Sequence, residues 1–173
     1  MIIIHSVQKL LNTSRLKPVL FVTQPDDGQQ LHSWYARLLA TGFPGKLLVI
    51  YVHEPSLMTI VCRGKTIQGT WEQFGQRLEW LLRRFNFSSS FLESELKRVD
   101  GYVVSKTRSK SMLAHMNQMI FQLEYDCTRF EQYQTISLDY MEDIMMDHFH
   151  QNGAEPKEYL TPLNFWKSKE VLT

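Results

Sequence analysis

Apolar positions recur along the chain with two periods, one near 3.6 and one near 2, and each predicts an element. Met1 to Val7 is β-branched and apolar and predicts a buried strand, with one helical turn over 7–12. Lys17-Pro18 breaks that pattern. Val19 to Thr23 then predicts a second strand, closed by the turn chemistry of Gln24-Pro25-Asp26-Asp27-Gly28. Asp27 with Gln30 forms a capping box ahead of Leu31, Trp34, Tyr35, Leu38 and Leu39, whose spacing predicts an amphipathic helix stopped by Gly42 and Pro44. Leu47 to Val52 and Leu57 to Cys62 are β-rich runs joined by only His53-Glu54-Pro55-Ser56, which predicts an antiparallel hairpin.

The second half is mostly helical in pattern. Thr70 and Gln73 form another capping box, followed by Trp71, Phe74, Leu78, Leu81, Leu82 and Phe85 on one face and Arg77, Arg83 and Arg84 off it. Phe91 to Arg98 predicts a short helix and Tyr102-Val103-Val104 a strand. From Met112 the residues Met112, Leu113, Met116, Met119, Ile120, Leu123 and Cys127 make one continuous helical stripe. Lys110, Asn117 and Glu124 border one side of it, and Ser111, His115, Gln118 and Gln122 the other. Leu138, Met141, Ile144, Met145, His148 and Phe149 mark a last helix, with Asp139, Glu142 and Asp143 near its start and Gly153 and Pro156 ending it. The tail through Pro162 and Trp166 carries enough aromatic surface to pack back on the body without regular structure of its own.

Together these elements predict a single α+β domain over residues 1–173, with a body to about residue 150 and a packed tail over 151–173. A small mixed or antiparallel sheet is expected under three to four amphipathic helices, among them those of Trp34, Trp71 and Met116. The length of 173 residues suits one core, and 43% hydrophobic with 21% charged residues is an ordinary globular composition. A net charge of +1 gives no overall pull toward nucleic acid or membrane, so any such binding must come from a local patch. Cys62 and Cys127 sit inside apolar patterns without a second Cys or spaced His and read as reduced core thiols of a cytoplasmic protein. Ile2-Ile3-Ile4 is too short for a signal peptide and no apolar stretch approaches 18 residues, so no membrane association is expected.

The local patch lies at 105–118, where a basic, hydroxyl-rich turn runs into the Met116 helix. Thr107 or Ser109 can cap that helix, which places Lys106, Arg108 and Lys110 around its first turn, where the macrodipole disfavours cations. Unpaired N–H groups beside three cations suit an anion, and the plain alternative is a solvated basic face. The candidate ligand-binding residues are Lys106, Arg108, Ser109, Lys110, Ser111, His115 and Asn117. Lys106, Ser111, His115 and Asn117 could instead build a hydrolase or nuclease, but no orienting carboxylate is evident for the Ser111 and His115 pair.

Other constellations are weaker. His53 and Glu54 at the hairpin tip could form an acid–base pair, yet neighbours in a strand face opposite ways, and an exposed tip is the simpler expectation. Asp143, Asp147 and His150 fall at i, i+4 and i+7 of the last helix, a spacing that could ligate a metal but reads better as a solvated acidic face. The nucleotide-loop, zinc-protease, serine-hydrolase and Cys-x-x-Cys signatures are absent, so no cofactor is assigned.

The chain resembles a family of small bacterial proteins classed as a domain of unknown function. Members share an N-terminal strand and short helix, a W-x-x-x-L helix, a strand pair of the type L-L-x-T and S-L-x-S-V-V, and a signature S-K-x-x-N-R-S-x-x-G-S-M-N-D. The resemblance runs over Trp34 to Leu38, Leu47 to Val61 and Ser105 to Gln118, with Ser105, Lys106, Ser111, Met116 and Asn117 standing as in the signature. Ser109, Lys110, Ala114, His115 and Gln118 replace its Asn, Arg, Gly, second Ser and Asp. This resemblance implies a fold and a site location and no reaction. The preferred function is a non-catalytic binding module at 105–118 for a phosphate-bearing ligand, a nucleic acid or an acidic protein partner, with a place beside mobile-element, toxin–antitoxin or phage-defence genes. The alternatives are the hydrolase or nuclease above and a protein–protein interaction through the aromatic tail.

Overall fold

The computed structural model describes residues 1–20, 30–151 and 159–173. Strand β1 (Ile2–Ser6) is the second strand from one edge of a five-stranded sheet. It pairs in parallel with β2 (Ser33–Ala40) on one side and β5 (Tyr102–Lys106) on the other. β2 continues into the antiparallel meander of β3 (Leu47–His53) and β4 (Thr59–Arg63), giving the order β4-β3-β2-β1-β5. The hairpin predicted from the His53–Ser56 connection is therefore present, and the sheet is mixed.

Alternation along the central strands divides the core in two. Trp34, Ala36, Val49, Tyr51, Ile60 and Cys62 face one layer, made by α1 (Gln8–Ser14), α2 (Ile67–Arg84), α3 (Ser89–Leu96) and α6 (Pro162–Lys167). Tyr35, Leu39, Leu48, Ile50, Val52 and Val61 face the other, made by α4 (Lys110–Cys127) and α5 (Leu138–Met146). A sheet buried on both faces needs apolar residues on both sides of its inner strands, and β2 and β3 supply them apart from Ser33, Arg37 and His53. A two-stranded ribbon of β6 (His150–Gln151) and β7 (Tyr159–Leu160) completes the regular structure.

Several local expectations are corrected. Trp34, Tyr35, Leu38 and Leu39 lie in β2 and not in a helix: with both faces buried, the run Trp34 to Ala40 loses its period-2 signal and mimics a helical stripe. Its capping residue Asp27 and the turn at 24–28 lie outside the described residues, as do 21–23 of the expected second strand and Gly153 and Pro156. Val19 and Leu20 are in no strand, although the Val19 amide donates to the Val104 carbonyl at 2.8 Å along the outer edge of β5. α2 starts earlier than its capping box suggested. Thr66 is the cap, accepting from the Gly69 amide, which frees Thr70 to bond the buried Tyr51 hydroxyl and Gln73 to accept from the Arg63 amide. The tail forms α6, with Thr161 capping it and Trp166 fully buried against His53, Phe87 and Phe91.

Candidate functional site

β1 stops at Ser6, opposite Ala36, and β5 stops beside it at Lys106, but β2 runs on through Arg37, Leu38, Leu39 and Ala40. Beyond the carboxyl ends of the two shorter strands this leaves a crevice of about 440 Å³ between α1 and α4. Val7 and Lys9 form one wall, Arg37, Leu38 and Ala40 the floor, and Leu113, Asn117, Ile120 and Glu124 of α4 the other wall. The Arg37 guanidinium donates to the Asn117 side-chain oxygen, and the Glu124 carboxylate accepts from the Ala40 amide at 3.4 Å. Among the described residues neither Arg37 nor Lys9 has a carboxylate in ion-pair range.

The start of α4 lies on the same side of the sheet order, one residue triplet after β5. Ser109 is the cap: its hydroxyl accepts from the Met112 amide at 3.1 Å, and its own amide donates to the Tyr35 hydroxyl at 3.2 Å. The carbonyl of Ser109 takes the Leu113 amide, so the Lys110 and Ser111 amides have no intrahelical acceptor and both residues are exposed. Lys106 is exposed at the end of β5, while Arg108 is partly neutralised by Glu54, 3.3 Å away. Under this surface His5 is buried against the Tyr35 ring, with Nδ1 3.4 Å from the Lys106 carbonyl and Nε2 without a partner among the described residues. Burial, and then the Arg108 cation, lowers the His5 pKa, so a neutral ring donates from Nδ1 and keeps Nε2 as an acceptor.

The predicted site residues therefore divide. Lys106, Ser109, Lys110 and Ser111 are contiguous at the junction, and Asn117, seven residues after Lys110, lies on the flank that lines the crevice. His115 lies on the opposite flank, lining a separate small cavity with Ser56, His150 and Thr161, and its ring centroid is 5.4 Å from that of His150. No hydrogen bond joins Ser111 to His115 among the described residues. Arg37 and Lys9 were not picked out from sequence. The available signal was Arg37 as the lone charged residue in the run from Ser33 to Ala40.

The other constellations resolve differently. His53 is fully buried under Trp34 and Trp166 and is not an exposed tip: its Nε2 donates to the Gln30 carbonyl and its Nδ1 bonds the Ser56 hydroxyl, both at 2.8 Å. Burial pushes its pKa down to about 3. Glu54 turns away toward Ser33 and Arg108, so the two form no acid–base pair. α5 ends at Met146, which places His150 in β6 and removes the i, i+4, i+7 face. Of the expected solvated acidic face Asp147 is exposed, but Asp143 pairs with Arg84 at 2.7 Å, beside Asp139, which pairs with Arg77 and Arg84. Among the described residues no group of three or more His, Cys, Asp or Glu could hold a metal ion as placed, and no helix is long and apolar enough to cross a membrane. Cys62 and Cys127 are buried free thiols, and burial raises both pKa values.

The family model described as Domain of unknown function (DUF6933) covers residues 3–165. No curated protein matches the chain.

Proposed function

The chain belongs to the DUF6933 family, a domain of unknown function, and from its geometry we propose that it is a non-catalytic binding module for an anionic ligand held at the β5–α4 junction and the adjoining crevice. The observation that carries this proposal is the early end of β1 and β5. In open sheets with parallel strands, ligands bind outside the carboxyl ends where connections depart to opposite sides, and β1 has its parallel neighbours on either side at this point. Arg37, Lys9, Lys106 and Lys110 supply positive charge there without carboxylate partners among the described residues. Glu124 is the one carboxylate lining the crevice. The free amides of Lys110 and Ser111 add donors, and Asn117 orients the Arg37 guanidinium.

The ligand is a phosphate-bearing molecule, a nucleic acid or an acidic protein partner. Inorganic phosphate should stabilise the protein saturably, by about 2.7 kcal/mol at a hundredfold excess over its Kd, and Arg37→Gln with Lys110→Gln should abolish the effect. If the phosphate belongs to a nucleic acid, log affinity should fall by about 0.9 per log unit of salt for each phosphate neutralised. The Lys106, Arg108, Lys110→Ala triple variant should then lose about two units of slope and not three, because Arg108 is already engaged by Glu54. Equal and negligible binding of phosphate, sulfate, RNA and DNA by the wild type and both variants would make the cations a solvated face. The hydrolase alternative needs His115 and Asn117 to act together, and they line different cavities.

A further inference from the structure

The crevice offers an open length of sheet as well as charge. The Val7 amide donates to the Ala36 carbonyl, so the main-chain groups of Ala36, Leu38 and Ala40 face the side where β1 lies. All of these residues stand opposite β3, Leu38 opposite Val49, but by the alternation of the ladder it is the main-chain groups of Arg37 and Leu39 that face β3. Because β1 has ended, the Leu38 amide and carbonyl have no partner among the described residues, although they border the crevice floor. Elsewhere at the sheet margin several main-chain groups have partners. On β4 the Val61 amide donates to Glu142 at 3.1 Å and the Arg63 amide to Gln73, and on β5 the Val104 carbonyl accepts from Val19. An unpaired strand edge is a template for another strand, and proteins ordinarily cover it.

We propose, building on the anion-binding role above, that the occupant is an extended acidic peptide that adds to β2 at Leu38 as a short strand in the space β1 vacates. Its main chain would exchange an N–H to C=O bond in each direction with Leu38, continuing the ladder that β1 makes with Ser33 to Ala36. Side chains of an added strand alternate between faces. Those on the α4 side meet the Arg37 guanidinium, already fixed by Asn117, which suits a carboxylate. Those on the α1 side meet Val7 and Lys9. A branched aliphatic residue between the acids turns to that second side, where Val7 and the Lys9 stem receive it. A peptide of glutamate alternating with valine meets both requirements, whereas a small dicarboxylate meets only the charge.

The test uses the full chain with four probes: an acetylated, amidated Glu-Val hexapeptide, the same peptide N-methylated at its central residues, a Lys-Val hexapeptide, and glutarate. The Glu-Val peptide should bind at least about tenfold more tightly than glutarate, N-methylation should remove that margin, and the Lys-Val peptide should not bind. In the amide spectrum the Leu38 N–H should shift and gain protection from exchange only with the unmethylated acidic peptide. Arg37→Gln should weaken the acidic peptide at least about tenfold while leaving the thermal transition in place. Equal binding of the methylated and unmethylated peptides, or of the Lys-Val peptide, overturns strand addition. If glutarate or inorganic phosphate binds and no peptide exceeds it, strand addition is wrong while anion binding stands. If none binds, both fail.

Discussion

α2 and α4 are each 18 residues long and cover opposite faces of the same sheet, yet their polar flanks are treated in opposite ways. On α2, Arg77 and Arg84 reach around the outer margin of β4 to Asp139, Glu142 and Asp143 of α5. Glu142 is fully buried and also accepts the Val61 amide, so its carboxylate is bonded from three directions. On α4 the corresponding flank carries Lys110, Asn117 and Glu124, and the neighbouring Arg37 donates to a neutral amide oxygen and forms no ion pair among the described residues. The first helix spends its charges on holding α5 and the sheet edge in place. The second leaves positive charge unspent beside an open strand, which is how a binding surface differs from a structural one.

The inner faces of the two helices do not differ, and the most severe substitution should demonstrate it. Met116 is fully buried under α4, so Met116→Asp places an unpaired charge in the core and should abolish the cooperative thermal transition followed by circular dichroism. A normal melt would mean that α4 is not anchored through this stripe. Next in size is the α2 flank: Arg77→Met leaves Glu142 buried without its main partner and should cost about 3–5 kcal/mol in urea unfolding. Adding Glu142→Gln should recover most of the loss, since the amide removes the charge and still accepts from Val61.

Acid should act through the buried histidines. Among the described residues His150 has no hydrogen-bond partner for either ring nitrogen, and it packs against His115 and His148; burial, then those two rings, pushes its pKa down to about 4. Its folded value lies below the unfolded one, so between pH 6.5 and 4 the unfolded chain takes up a proton that the fold resists. Stability is fully present above pH 6.5 and falls by up to about 3 kcal/mol as the pH drops through that window. His150→Phe should flatten the slope, and an unchanged profile would assign the acid sensitivity to His53, whose pKa near 3 acts in the same direction. The smallest effect belongs to the α4 flank. Arg37→Gln and Lys110→Gln should change stability by no more than about 0.5 kcal/mol while removing anion binding. A loss comparable to that of Arg77→Met would make the two flanks alike.

Where one face of an element is wet, the pattern in the sequence was enough to place it. The stripes of α2 and α4 follow from helical periodicity, and hydroxyl chemistry narrows the α4 cap to Thr107 or Ser109, of which the structure uses Ser109; the β3–β4 hairpin, with no wet face, follows instead from the short connection between two β-rich runs. β2 was misread for the opposite reason, because Trp34, Tyr35, Ala36 and Leu39 are all buried and no polar row marks a face. That error also concealed Arg37, which looks like one exposed position of a helix until the strand brings it to Asn117, 80 residues away. The ion cluster on α2 was legible as arginines off the apolar face but not as pairs, since its carboxylates arrive from α5. His53 was obscured by its place in a short connection, where burial under Trp166 depends on a segment more than a hundred residues later.

The place of β1 in the sheet also governs the order in which the molecule can assemble. β2, β3 and β4 are joined by short connections and can zip locally, whereas β1 must meet β5 across the separation from Ile2 to Tyr102. Closing a loop of that length before any contact rewards it slows folding. Because β1 also pairs with β2 across the much shorter span from Ile3 to Ser33, β5 is thus expected to dock late, onto a sheet that already exists. In pulse-labelled refolding the Val49 to Ile60 amides should gain protection before those of Val103 to Ser105, and simultaneous protection would show that β5 belongs to the nucleus.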